Sequence, residues 1–175
     1  MRRRRPTRSR SVRSSATGAF DDGLAGLLGG GVVTDNRRDE LVRRFELPGD
    51  CAVALWIPDR THPPSSRLVG RFRRDRSLAR RAVDAALDGD WCAAMRANSA
   101  LVERAMGYRY AAVHDALRNA GATVSGVSGL GPAVAAVVPH GRVGRVVRAF
   151  PTGRGPRRSI AVFAGRHRES RREPE

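Results

Sequence analysis

The sequence has no lysine and no glutamine, few aromatics (5%) and only two cysteines, Cys51 and Cys92. Two cysteines cannot build a disulfide framework, and neither sits in a zinc or redox motif, so a reduced, cytosolic setting is the default expectation. No apolar run approaches the roughly 18 residues that a spanning helix needs, which excludes a helical transmembrane reading. The four histidines, His62, His114, His140 and His167, are scattered. They form no H-E-x-x-H, H-x-x-x-H or Cys/His cluster, so the sequence points to no histidine metal site. No nucleophile elbow supports Ser/His/Asp catalysis. With aromatics scarce, Ala, Val, Leu and Gly must do most of the packing. At 41% hydrophobic residues the 175-residue chain still has enough for a core of ordinary domain size.

Charge is abundant and one-sided. The net charge is +16, and all 33 basic residues are arginine. The excess is concentrated at the ends: residues 1–17 hold seven Arg and no acid, and residues 151–175 hold seven Arg and three acids. Between them, 19 Arg face 14 acids. Both ends read as solvated, disordered tails, with phosphate attachment to nucleic acid as the other reading. Arg2 to Arg5 has the look of a signal n-region. The apolar stretch that follows, Ala19 to Val33, is interrupted by Asp21, Asp22 and five glycines, so export is not expected and the cytoplasm is.

Periodicity predicts a helix over 20–28, with Asp21 and Asp22 in its first turn, where negative charge suits the helix dipole. Gly29 to Gly31 stop it, Val32 to Thr34 form a short strand, Asp35 and Asn36 make a turn, and 38–45 is a short amphipathic segment. Residues 50–57 read as a buried strand ending at Pro58, and 59–75 as a loop. Ser77 is expected to cap a helix reaching Asp88. A second helix follows Asp90, with Cys92, Met95, Ser99 and Val102 on one face, and a third spans about 111–119 before Gly121. Strands 122–127 and 133–138 flank a turn at 128–132, 141–150 is helical, and 159–164 is a last strand. The order predicts an α+β fold, a mainly antiparallel sheet with helices packed on one face.

Three short segments carry candidate chemistry. Ser125 to Pro132 is rich in glycine between two apolar runs. It serves either as a plain hairpin turn or as a cradle whose consecutive N–H groups bind an anion, and it is not a Walker loop because no G-K-[ST] follows. Asp21 and Asp22 are either ordinary helix-start charges or the source of a general base, which must then be well positioned because a carboxylate is a weak one. Thr34, Asp35, Asn36 and Arg37 offer a hydroxyl, a carboxylate, an amide and a guanidinium. They make either a turn or a polar pocket for a hydroxylated acid, which an arginine fork can grip bidentately.

These segments occur in one order, and the combination resembles a known family. Thr17-Gly-Ala-Phe-Asp-Asp22, Leu28-Gly-Gly-Gly-Val-Val-Thr-Asp-Asn36, Ala94-Met-Arg-Ala-Asn98, Met106-Gly-Tyr108 and Ser128-Gly-Leu-Gly-Pro-Ala-Val-Ala-Ala-Val137 resemble the archaeal-type shikimate kinases of the GHMP kinase superfamily. The similarity runs over about residues 16–140 and looks like the C-terminal half of that family. The resemblance implies a GHMP-kinase-like region over 18–150 between the two basic tails. It implies ATP, with Mg2+, as phosphoryl donor and shikimate as acceptor at its 3-hydroxyl, in aromatic amino-acid biosynthesis. By analogy Asp21 would orient or deprotonate that hydroxyl. Ser128, Gly129 and Gly131 would belong to the glycine-rich loop near the phosphates, and Thr34 to Arg37 would lie near the substrate. The sequence departs from the pattern in three places. The serine-rich ATP loop expected upstream of Gly18 is absent, Leu130 stands where the family usually has Ser or Thr, and the likeness fades from about residue 149. These departures give the expectation of a truncated or frame-shifted product. An arginine-rich nucleic-acid binder and an inactive kinase remnant are the alternatives.

Overall fold

The computed structural model describes residues 20–36, 38–59 and 68–151 and the backbone strand 159–164. The tail assigned to 1–17, most of the tail assigned to 151–175, and residues 60–67 of the assigned loop lie outside the described residues. The chain divides into two units, 1–46 and 47–175, within the stretch that the resemblance treats as one region.

In the first unit, helix α1 (Phe20–Leu28) carries Asp21 and Asp22 in its first turn, as its periodicity predicts. Strands β1 (Gly31–Asp35) and β2 (Glu40–Phe45) pair antiparallel as a two-stranded sheet, with Gly31 opposite Phe45 and Asp35 opposite Glu40. The amphipathic segment 38–45 is thus half of a hairpin, and β2 is exposed along nearly its whole length. Gly31 is sterically required there, because a Cβ on it would lie 2.2 Å from the Phe45 ring. Arg44 donates from Nη2 to the Leu28 carbonyl at 2.6 Å, tying β2 to the end of α1.

The second unit is built on a four-stranded antiparallel sheet in the order β4-β5-β3-β6. Its strands are β3 (Cys51–Ile57), β4 (Val124–Val127), β5 (Val134–Pro139) and β6 (Ser159–Ala164). Register places Ala52 opposite Val138, Ala54 opposite Ala136 and Trp56 opposite Val134. Those six side chains are buried and share one face of the pleat. Against that face pack Val102 and Met106 of α4 (Trp91–Met106), Leu117 and Ala120 of α5 (Ala111–Ala120), Val146 of α6 (Val143–Ala149), and Phe150. The α+β expectation of helices on one face of an antiparallel sheet is met. The scarcity of aromatics concentrates them: Trp56 meets Tyr110 edge-on at 5.7 Å and stacks with Phe150 at 6.3 Å.

Two local expectations are corrected. The end of the 59–75 segment is not loop: α2 (Leu68–Phe72) and a 3-10 turn (Arg73–Asp75) lead into α3 (Arg76–Asp88). Phe72 packs on the core, and Arg71 donates to the Ala105 carbonyl of α4 at 3.2 Å, which holds this short helix in place. Ser77 does not cap α3. The helix begins two residues earlier, after Asp75, whose carboxylate takes Arg104 at 2.8 Å and makes no cap bond. By contrast Asp90 is a genuine N-cap of α4, its Oδ1 accepting from the Ala93 N–H at 2.8 Å. Gly121 ends α5 at φ 103°, its N–H reaching the Arg118 and Leu117 carbonyls, as expected of a helix stop.

Candidate active site

The glycine-rich loop joins the edge strand β4 to β5. Ser128 N–H donates to the Ala133 carbonyl at 2.9 Å and Gly131 N–H to the Ser128 carbonyl at 2.8 Å, closing the turn on itself. Gly129 and Gly131 have φ of 55° and 78°, a region that L side chains rarely adopt. The two glycines differ in surroundings. A Cβ on Gly129 would meet nothing within 4 Å, whereas one on Gly131 would lie 2.5 Å from the Tyr108 ring and 2.9 Å from Val127 Cγ1. Gly131 is therefore small for internal packing, and Gly129 is the point of open approach. Ser128, Gly129 and Leu130 are exposed. Among the described residues the N–H groups of Gly129 and Leu130 have no hydrogen-bond partner. Consecutive exposed residues beside a positive-φ glycine are the kind of backbone from which anion-binding concavities are built.

The loop is held from beneath. Tyr108 Oη donates to the Leu130 carbonyl at 3.2 Å and Tyr110 Oη to the Pro132 carbonyl at 3.1 Å. The two rings are buried and stack at 5.3 Å. At the entry to the loop, Val127 N–H donates to Ser99 Oγ of α4 at 3.0 Å.

Ser99 opens onto a cleft of about 860 Å3 bounded by α3, α4, α5 and the start of β4. Its polar lining includes Arg96, Glu103, Arg109, His114 and Ser125. Glu103 Oε1 accepts from Ser99 Oγ at 2.9 Å and lies 3.0 Å from His114 Nε2, while Oε2 accepts from the Tyr110 N–H at 3.1 Å. His114 Nδ1 is 2.8 Å from Ser125 Oγ. Sequence reasoning treats His114 as isolated; folding gathers it with Glu103, Ser99 and Ser125. The i, i+4 spacing of Ser99 and Glu103 on one helix, and the paired tyrosines just after that helix, are the only signals in the sequence that point to this cluster.

In the first unit, Asp21 is half-buried and Asp22 exposed at the start of α1. The β1–β2 turn brings Thr34, Asp35 and Asn36 together. Thr34 Oγ1 donates to Asn36 Oδ1 at 2.7 Å, and Asp35 Oδ2 lies 3.7 Å from Arg38 Nε. Arg38, not anticipated, thus supplies a guanidinium at this turn, and Arg37 lies outside the described residues. Asp21 and the Thr34–Asn36 turn belong to the first unit, and Ser128, Gly129 and Gly131 to the second. Cys51 and Cys92, half-buried, have thiols pushed above their ordinary range chiefly by burial; Asp50 adds to this at Cys51, while Arg96 opposes it at Cys92. Neither is an activated nucleophile.

Residues 79–155, which include the loop, its tyrosine supports and most of the helical layer, match the family "GHMP kinases C terminal". The shikimate kinase of Methanococcoides burtonii is 41% identical over 122 residues, 70% of this chain and 42% of that protein. The shikimate kinase of Methanosarcina acetivorans is 37% identical over 142 residues, 81% of this chain and 47% of that protein. A homoserine kinase structure from Cytophaga hutchinsonii aligns with 80% of this chain and 50% of that one at a TM-score of 0.47 and 17% identity. The chain spans less than half the length of the curated relatives it matches first. Over residues 79–155 the chain is similar to the C-terminal domain of the GHMP kinases, and over 70–81% of its length to the archaeal shikimate kinases.

Proposed function

We propose that the chain supplies part of an ATP-dependent kinase that phosphorylates shikimate at its 3-hydroxyl, in aromatic amino-acid biosynthesis. The observation that carries this reading is the loop at 128–132, where exposed Gly129 and Leu130 have N–H groups with no partner among the described residues, over a fixed tyrosine base. The names of the relatives support the acceptor.

Phosphoryl transfer asks the protein mainly to position groups and to neutralise charge as it moves. In this reading the loop receives a phosphate of ATP, with Gly129 leaving its exposed backbone open to close approach. Ser128 adds a hydroxyl at the same exposed edge, while Leu130 contributes only its backbone. Mg2+ travels with ATP largely on phosphate oxygens and water, needing one or two carboxylates from the protein. In this reading Asp21 accepts a hydrogen bond from the acceptor hydroxyl. Thr34, Asp35, Asn36 and Arg37 bind the acceptor's hydroxyls and carboxylate.

The test is ADP release by the purified chain with ATP and Mg2+, with and without shikimate, beside an ATP titration followed at the Gly129 and Leu130 amides by NMR. Shikimate-dependent release that disappears in Asp21→Asn supports the reading. An unchanged rate in Asp21→Asn removes the role given to Asp21. Loop amides that stay still at saturating ATP overturn the cradle.

A further inference from the structure

We infer that Glu103 and His114, with Ser99, are positioning residues that set the shape of the 128–132 loop from the far side of the sheet edge. The inference rests on the phosphate-cradle reading for its purpose, but its geometry is independent of it.

The connections reach the loop at three points. The first runs from Glu103 Oε1 to Ser99 Oγ and on to the Val127 N–H, where β4 enters the loop. The second runs from Glu103 Oε2 to the Tyr110 N–H, and from Tyr110 Oη to the Pro132 carbonyl, where the loop leaves. The third is Tyr108 Oη on the Leu130 carbonyl, its ring against Gly131. One carboxylate therefore grips both shoulders of the loop, and buried polar networks of this kind specify a single geometry when every member is satisfied.

His114 completes the set. With Nε2–H donated to Glu103 Oε1, Nδ1 accepts from the Ser125 hydroxyl, and Ser99 Oγ lies within 3.4 Å of Nε2. Both ring nitrogens are engaged within the protein, so the imidazole has neither left over to exchange a proton with a substrate. Its part is to orient the Glu103 carboxylate so that Oε1 faces Ser99 and Oε2 faces Tyr110. The side chains of His114 and Glu103 are 19% and 17% exposed, shielded enough for these bonds to persist against water.

The experiment is amide hydrogen exchange on the whole chain, read at the Val127 amide, which Ser99 Oγ protects, and at the Ser128 and Gly131 amides, which the loop's own bonds protect. The Ala54 and Val138 amides, in the core sheet, serve as the reference. In Glu103→Gln and His114→Ala the loop amides are expected to exchange about tenfold faster with the reference unchanged. His114→Gln, which keeps an N–H donor for Glu103, is expected to return them to within about twofold of the parent. Tyr110→Phe removes the Pro132 bond and tests the same brace should Glu103→Gln not fold. Loop amides unmoved in the variants, acceleration equal to that of the reference amides, or no rescue by His114→Gln would each overturn the inference. A parallel titration with inorganic phosphate separates the two readings. If phosphate leaves the parent's Gly129 and Leu130 amides unshifted, the cradle fails while the exchange data still decide the brace. If it shifts them, Glu103→Gln is expected to weaken phosphate about tenfold.

Discussion

Replacing Gly131 by alanine puts two separable costs on one residue. At φ 78° an L side chain is strained by about 1–2 kcal/mol, partly offset by the lower entropy that alanine gives the unfolded chain. The new Cβ would also stand 2.5 Å from the Tyr108 ring and 2.9 Å from Val127 Cγ1. Tyr108 is buried and tied to the Leu130 carbonyl, so it cannot swing aside without losing that bond. Overpacking of this kind costs about 1–3 kcal/mol. Together the terms give about 3 kcal/mol for Gly131→Ala. Gly129→Ala shares only the first cost, at φ 55° with open space around it, and is expected to lose about 1 kcal/mol. Urea denaturation of both variants and the parent, monitored by circular dichroism, measures the difference. Equal losses in the two variants, or a Gly131→Ala chain as stable as the parent, would refute the assignment of Gly131 to packing and Gly129 to the exposed approach.

Three further outcomes follow from the packing. Asp90→Ala removes a real cap bond and should cost about 1 kcal/mol, whereas Asp75→Ala loses only a surface pair with Arg104 and should stay within about 0.5 kcal/mol; thermal melts of both will show whether that order holds. Trp56 Nε1 is buried with no partner among the described residues, so Trp56→Phe trades lost packing for removal of an orphan donor. It should change stability by less than about 1 kcal/mol, against about 3 kcal/mol for Leu117→Ala in the same core; a Trp56→Phe loss as large as the leucine's would show that the indole N–H is satisfied. The thiols of Cys51 and Cys92 are raised in the fold, so they favour folding below the pKa of the unfolded thiol, and that contribution is lost as pH rises through the folded values. Iodoacetamide at mildly alkaline pH should label the native chain more slowly than the urea-unfolded one, and equal rates would contradict the burial effect.

Local chemistry is what made much of the molecule readable in one dimension. The apolar run from Cys51 to Ile57 announces a buried strand, Asp90 and Gly121 bound their helices, and the glycines at 129 and 131 announce special backbone because few other residues adopt those angles. The α+β class follows from the order of such segments, and the family likeness rests on motifs short enough to survive as strings. Residues 38–45 are harder: an exposed strand carries little pattern, and only pairing with β1 reveals it. Leu68 to Asp75 turns helical because Phe72 and Arg71 find partners on distant parts of the chain, a reward that no local window contains.

The sequence by itself determined most of the elements and where the glycine-rich turn lies, because propensity, periodicity and glycine geometry are properties of neighbouring residues. Only the tertiary structure decided what supports that turn. Ser99, Glu103, Tyr110, His114 and Ser125 are up to 26 residues apart, and their hydrogen bonds exist only once α4, α5 and β4 are packed. The same packing gave the two loop glycines different roles, since Tyr108 reaches Gly131 and leaves Gly129 open.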